Sequence, residues 1–188
     1  MRHRFLSTLL CTVAATAVSI SLAQPALAQG GGAQKAPLSP LAKAEVSLTD
    51  AQISIDYSAP SMRGRQIFGD GTLVPYGKVW RTGANSATTL KTSGNLMIGS
   101  LSVPAGTYTI YSLPTAEGWK LIVNKQTGQW GTVYKEDMDL GRVPMEKASN
   151  ASSVEKMVID FENTSGDSTE LHVKWADVDA SVKVTASK

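Results

Sequence analysis

From Ala44 onward the chain alternates between apolar and polar positions. In AQISIDY (51–57), Ile53, Ile55 and Tyr57 are separated by Ser54 and Asp56. That is the period of a strand with one buried face. Val46 and Leu48 predict a strand just before it, with Thr49-Asp50 at the turn. The same reading gives strands at Thr88–Thr92, at Leu96–Ile98 and Leu101–Val103 around Gly99-Ser100, and at Thr107–Ser112 after the Pro104-Ala105-Gly106 turn. It continues through Trp119–Asn124, Val154–Phe161, Leu171–Trp175 and Val178–Val184. The only helical signals are weak, at Tyr76–Trp80 and Gly131–Glu136. Eight to ten short strands with Gly/Pro turns, and no long helical period between them, predict an all-β fold. The expected architecture is an antiparallel two-layer sandwich or jelly roll with one long ordered loop.

That loop is Pro60–Ala87, PSMRGRQIFGDGTLVPYGKVWRTGANSA. Ile67-Phe68, Leu73-Val74 and Val79-Trp80 give it apolar anchors, so it is expected to pack on the strands. Long ordered loops in compact domains tend to carry function. Arg63, Arg65 and Arg81 lie in it, and beyond residue 28 only Arg142 lies elsewhere. Arginine suits planar, bidentate recognition of carboxylate or phosphate. It equally ties loops to backbone carbonyls, and Asp56 and Asp70 are candidate local partners. Tyr76, Lys78 and Asn85 complete the polar set, although Gly83-Ala84-Asn85 is also good turn chemistry. Trp80 reads as core.

The N-terminus changes where this chemistry operates. Arg2 and Arg4 precede an apolar stretch, Phe5–Ala23, and Ala26-Leu27-Ala28 is a small-x-small cleavage pattern. Residues 1–28 therefore read as a signal peptide of an exported protein, periplasmic or secreted. The stretch is diluted by Ala, Ser and Thr, so no membrane span is expected after cleavage. Residues 29–43, QGGGAQKAPLSPLAK, read as a flexible linker, and 44–188 as a single β-sandwich domain. Cleavage removes the one cysteine, Cys11, and with it thiol catalysis and disulfides. Without Arg2 and Arg4, the 18 Lys and Arg fall to the same 16 as Asp and Glu. The precursor's pI of about 8.6 then no longer describes the protein. No basic field is left to attract nucleic acid.

The residue inventory narrows the reactions. His172 is the one histidine beyond the leader and is read as facing solvent from its strand. A serine triad would depend on it, and no nucleophile elbow or phosphate loop is present. Glu136, Asp137 and Asp139 do not match a calcium loop; they read as a solvated turn, and no metal or cofactor is expected. Trp130, between Gly128 and Gly131, either stacks on a ligand or packs over a sheet end.

Four stretches carry a resemblance: RGRQIFG (63–69), VPYGKVWRTGAN (74–85) with ATT (87–89), PAGTYTIYSLP (104–114) and NKQTGQWGTVY (124–134). Together they resemble bacterial exported domains catalogued as domain-of-unknown-function family twenty-nine eleven. The resemblance covers about residues 45–185. It implies no established activity. Members often have Glu after the Asn of the Gly-Ala-Asn motif, where this chain has Ser86. An activity depending on that Glu would be missing here.

Three expectations follow. A rigid exported domain presents Arg63, Arg65, Tyr76, Lys78, Arg81 and Asn85, helped by Lys125, Trp130 and Tyr134, to a small polar or anionic ligand. A sugar, a cell-envelope glycan or a carboxylate would fit. Alternatively, the loop only locks the fold of a structural or partner-binding protein. The third possibility is a hydrolase without His or Cys catalysis, whose catalytic residues the sequence does not identify.

Overall fold

Nine strands account for most of the computed structural model, which describes residues 38–187. The expected leader and residues 29–37 of the expected linker lie outside the described residues. Two hairpins open the fold: β1 (Leu41–Ser47) with β2 (Gln52–Ser58), and later β4 (Asn95–Ile98) with β5 (Leu101–Val103). Between them lies β3 (Thr89–Thr92); β6 (Gly106–Pro114), β7 (Trp119–Asn124), β8 (Asp139–Ser165) and β9 (Ser168–Ser187) follow. β1 starts at Leu41, so the last residues of the expected linker are strand. Gly99, at φ +55°, supplies the left-handed residue of the tight β4–β5 turn.

The expected all-β antiparallel architecture is present, and a single open sheet builds it. Its strand order is β1-β2-β3-β6-β7-β8-β9-β4-β5. β8 pairs with β7 through its first residues and with β9 along most of its length. The sheet curls back on itself. The Tyr57 hydroxyl on β2 receives the Ile159 N–H of β8 at 3.0 Å, and Met62 N–H reaches Glu155 O at 2.8 Å. One core fills the curl, drawing Ile53, Ile55, Ile110, Leu121, Met157, Val173 and Val184 from both halves. Alternation selects these residues, because only one face of each strand turns inward.

Three sequence expectations change. Tyr76–Trp80 is a turn rather than a helix, and Gly131–Glu136 holds only the start of a single 3-10 turn, Glu136–Met138. Of the acidic stretch, Glu136 and Asp137 are exposed in that turn as expected, but Asp139 is not: it opens β8, and its side chain is largely buried among hydrogen-bond donors. His172 is buried, at 7% exposure, instead of facing solvent. Its Nδ1 lies 2.8 Å from Asp179 Oδ1, and Glu170 and Glu162 stand 3.5 and 3.7 Å from Nε2.

The 60–87 segment packs as its apolar residues predict. Trp80 enters the core beside Phe68, Trp119 and Trp175. It stacks on Trp175 at 5.8 Å and meets Phe68 edge-on at 6.0 Å. Trp80 also exchanges both backbone hydrogen bonds with Ser112, each 2.8 Å, extending the edge of β6 beyond β3. The segment is thereby stitched to the sheet next to the strand whose outer face it covers.

Candidate functional site

The side chains of β6 at Tyr108, Thr109, Ile110, Tyr111 and Ser112 are all buried. An ordinary half-buried strand would leave every second one exposed. Tyr108 and Ile110 belong to the core, and Tyr111 points the other way, under two loops. One loop is the 60–87 segment. The other is 125–138, between β7 and β8.

Between them lies a cleft of about 200 Å³. Leu73, Pro75, Lys78 and Arg81 line it on one side, Gly131, Thr132 and Tyr134 on the other, and Tyr111 forms the floor. Arg81 gets there by strand logic. Trp80 points into the core, so the next residue points outward. The backbone then turns sharply. Thr82 is wholly buried at φ +50°, an unusual conformation for a β-branched residue. Its hydroxyl meets that of Ser112 at 2.8 Å, and its carbonyl receives the Thr88 hydroxyl at 2.9 Å. Ala84 N–H bonds Ser58 O at 3.1 Å. Strain of this kind persists only where the surroundings over-determine it, and such places cluster at functional sites.

The facing loop is held as firmly. Asn124, fully buried, donates to Lys135 O and Asp139 Oδ1, both at 2.8 Å, and its Oδ1 accepts from Gln126 N–H at 2.9 Å. Tyr134 donates to Asp139 Oδ2 at 2.7 Å and accepts from Arg142 at 2.8 Å. Burial, followed by the bond to Asp139, pushes the Tyr134 hydroxyl far above its ordinary pKa, so it stays protonated. The Tyr111 hydroxyl donates to Val133 O at 2.9 Å and accepts from Gln129 at 3.0 Å; burial also raises its pKa. Gly131 lies so close that a Cβ there would overlap the Arg81 side chain and sit 2.7 Å from Asn85 O. A glycine is what lets the two walls approach.

Arg81 is the one arginine or lysine with a buried, unpartnered nitrogen among the described residues; in the facing loop Gln126 Oε1 and Gln129 Oε1 are also buried without a partner. Its Nε is buried and has no hydrogen-bond partner among the described residues, and desolvation lowers its pKa. Leaving a buried donor unpaired costs about 1–3 kcal/mol. Lys78 stands on the same wall, and no carboxylate lines the cleft.

The other arginines of the loop behave differently. Arg65 donates from Nε to Met62 O at 2.9 Å and from Nη2 to Ser61 O at 2.8 Å. Arg63 reaches Leu38 O at 2.9 Å, while its backbone N–H bonds Glu155. Neither uses Asp56, which pairs with Lys91 at 3.3 Å, or Asp70. Of the residues the sequence singles out, Lys78, Arg81 and Tyr134 therefore share one cleft, and Trp130 adjoins it. Asn85 touches it only through its backbone, whose carbonyl receives Gly131 N–H at 3.0 Å. Tyr76 lines a separate cavity of about 430 Å³ with Met62, Gln66 and Lys147. Lys125 is exposed at the start of its loop. Tyr111, Asn124 and Gln129 are not among the residues the sequence singles out, and Asp139 is read there only as part of a solvated turn. Tyr111 looks like any outward residue of an alternating strand, and nothing local marks Asn124 as the clamp of a loop.

With this geometry in hand, the comparisons place the chain. Residues 39–184 match the family described as "Protein of unknown function (DUF2911)", and the protein belongs to it. No curated protein and no solved structure matches it. Among the described residues no group of three or more His, Asp or Glu side chains could hold a metal ion, and no helix is long and apolar enough to cross a membrane.

Proposed function

We propose that the protein binds a small anionic ligand of the carboxylate class, with Arg81 as its anchor. The observation that carries this reading is the buried, unpartnered Arg81 Nε in a cleft that holds Lys78 and no acidic side chain. A carboxylate placed there would pair with the Arg81 and Lys78 cations that line the cleft. Both walls are tied to the sheet, so little ordering would accompany binding. The leader pattern supports an exported protein whose ligand is met outside the cytoplasm; an N-terminus at Gln29 in protein recovered from the periplasm or medium is the expected outcome.

A second reading has its own support. Arg63 and Arg65 spend their side chains on backbone carbonyls, as a loop that only locks the fold would do. A thermal-shift screen of carboxylates, phosphate and neutral sugars against the wild type and Arg81→Gln separates the two. A ligand at a hundredfold excess over its Kd adds about 2.7 kcal/mol to stability. A carboxylate hit lost in Arg81→Gln, with the unliganded melting temperature little changed, supports the anion site. No hit, together with a large fall in the melting temperature of free Arg81→Gln, supports the lock.

A further inference from the structure

The cleft's surroundings narrow the ligand beyond its charge. Resting on the anion-site reading above, we infer that the ligand is an amphipathic monocarboxylate, with an apolar body lying on Leu73, Trp130 and Val133, rather than a hydroxylated sugar acid.

Two observations carry this. The first is where apolar side chains are left in water. The described residues include five large exposed hydrophobics: Leu38, Leu41, Leu73, Trp130 and Val133. Leu38 and Leu41 lie at the start of the described chain. The other three, 49%, 55% and 44% exposed, belong to the two loops that form the cleft. Leu73 lines it directly, while Trp130 precedes the lining residue Gly131 in the chain and Val133 lies between the lining residues Thr132 and Tyr134. Scattered exposed apolar residues need no explanation, but three confined to the two loops that form one cleft offer it apolar surface. These side chains are held outward by their backbones. Val133 N–H bonds Trp130 O at 2.9 Å, and Val133 O is tied to Tyr111. Val74 N–H bonds Ile67 O at 2.8 Å, which fixes the turn bearing Leu73.

The second observation is that the tyrosine hydroxyls of the cleft are already spent. Recognising a sugar takes donors and acceptors for several hydroxyls. The Tyr111 hydroxyl donates to Val133 O and accepts from Gln129, and the Tyr134 hydroxyl donates to Asp139 and accepts from Arg142. Thr132 is the one remaining neutral side chain on the lining with a free hydroxyl. What the cleft offers is positive charge next to apolar surface. Its volume of about 200 Å³ falls below the usual 300–1,000 Å³ of drug-sized pockets, which limits the part of the ligand it encloses to a small acid.

The test is calorimetric titration of the purified protein with benzoate and hexanoate, and with glucuronate as a hydroxylated probe of equal charge. It is run on the wild type, on Arg81→Gln and on the double variant Leu73→Ser/Trp130→Ser. Leu73 and Trp130 are exposed, so the double variant is expected to fold. In the wild type an apolar carboxylate is expected to bind at least about tenfold tighter than glucuronate, the scale of a small apolar contact. The double variant should bring the probes to near equality, and Arg81→Gln should lose both. Arg81-dependent binding of glucuronate as tight as that of the apolar acids overturns this inference and leaves the anion site standing. A preference for apolar acids that survives in the double variant overturns the placement of the apolar body. If no probe binds in an Arg81-dependent way, the anion site and this inference fall together.

Discussion

Arg63 and Arg65 at one end of the 60–87 segment, and Arg81 at the other, are the same residue type on the same loop. At the first end every side-chain bond goes to a main-chain carbonyl, and the guanidinium groups close the chain onto itself and onto Leu38. At the second end the side chain is more buried, yet its Nε is left without an acceptor. The backbone explains the difference. Around Arg65 the chain turns back and brings Ser61 and Met62 carbonyls within reach. Around Arg81 the carbonyls are already used: those of Trp80 and Ser112 by each other's N–H, that of Thr82 by Thr88. One loop thus contains a fastening and an open hand, and residue type alone does not tell them apart.

The comparison can be broken most forcefully at the residue both ends depend on. Trp80→Ala empties a place in the Phe68–Trp119–Trp175 cluster and is expected to cost about 3–5 kcal/mol, read as a lower urea midpoint. A loss below 1 kcal/mol would mean that the loop is not anchored through this side chain. Gly131→Ala comes next. Its Cβ would press on Arg81 and on the Asn85 carbonyl, costing about 1–3 kcal/mol by overpacking. It should also weaken carboxylate binding, since the methyl group occupies the space between the walls.

The arginines themselves sharpen the contrast. Arg65→Gln should cost about 1 kcal/mol, because it removes exposed bonds to backbone, and should leave any carboxylate-induced stabilisation intact. Arg81→Gln should leave the free protein as stable as the wild type or slightly more so, because it removes a buried donor without a partner, and should abolish that stabilisation. Equal behaviour of the two variants in both measurements would erase the distinction between the loop's ends.

The smallest effect is one of pH. Tyr134 has a folded-state pKa raised by burial and by its bond to Asp139. Its contribution to stability is complete below the unfolded tyrosine value of about 10 and is lost as pH rises above it. Tyr111 and Tyr57 are shifted the same way by burial. Stability should therefore fall on the alkaline side, and Tyr134→Phe should make that fall shallower. An unchanged alkaline slope in Tyr134→Phe would place the titration at the other tyrosines.

Alternation along the chain determined the strands, because a residue's neighbours in sequence fix which face it occupies once one face is buried. Ile53–Ile55–Tyr57, Leu171–Val173–Trp175 and the Gly99-Ser100 turn were legible for that reason. So was the packing of Trp80, which sits among apolar residues in an otherwise polar loop. Tertiary structure decided which polar residues became a site. The opening half of β8 carries little alternation, and it is a strand because β7 and β9 supply partners for its backbone. Tyr111 is buried by the 60–87 and 125–138 segments, which lie on either side of it in the chain. Arg81 differs from Arg65 in how far the fold buries it and in which carbonyls are left within reach. Hydrogen-bond satisfaction depends on distances across the molecule, and a one-dimensional pattern holds information about faces but none about those distances.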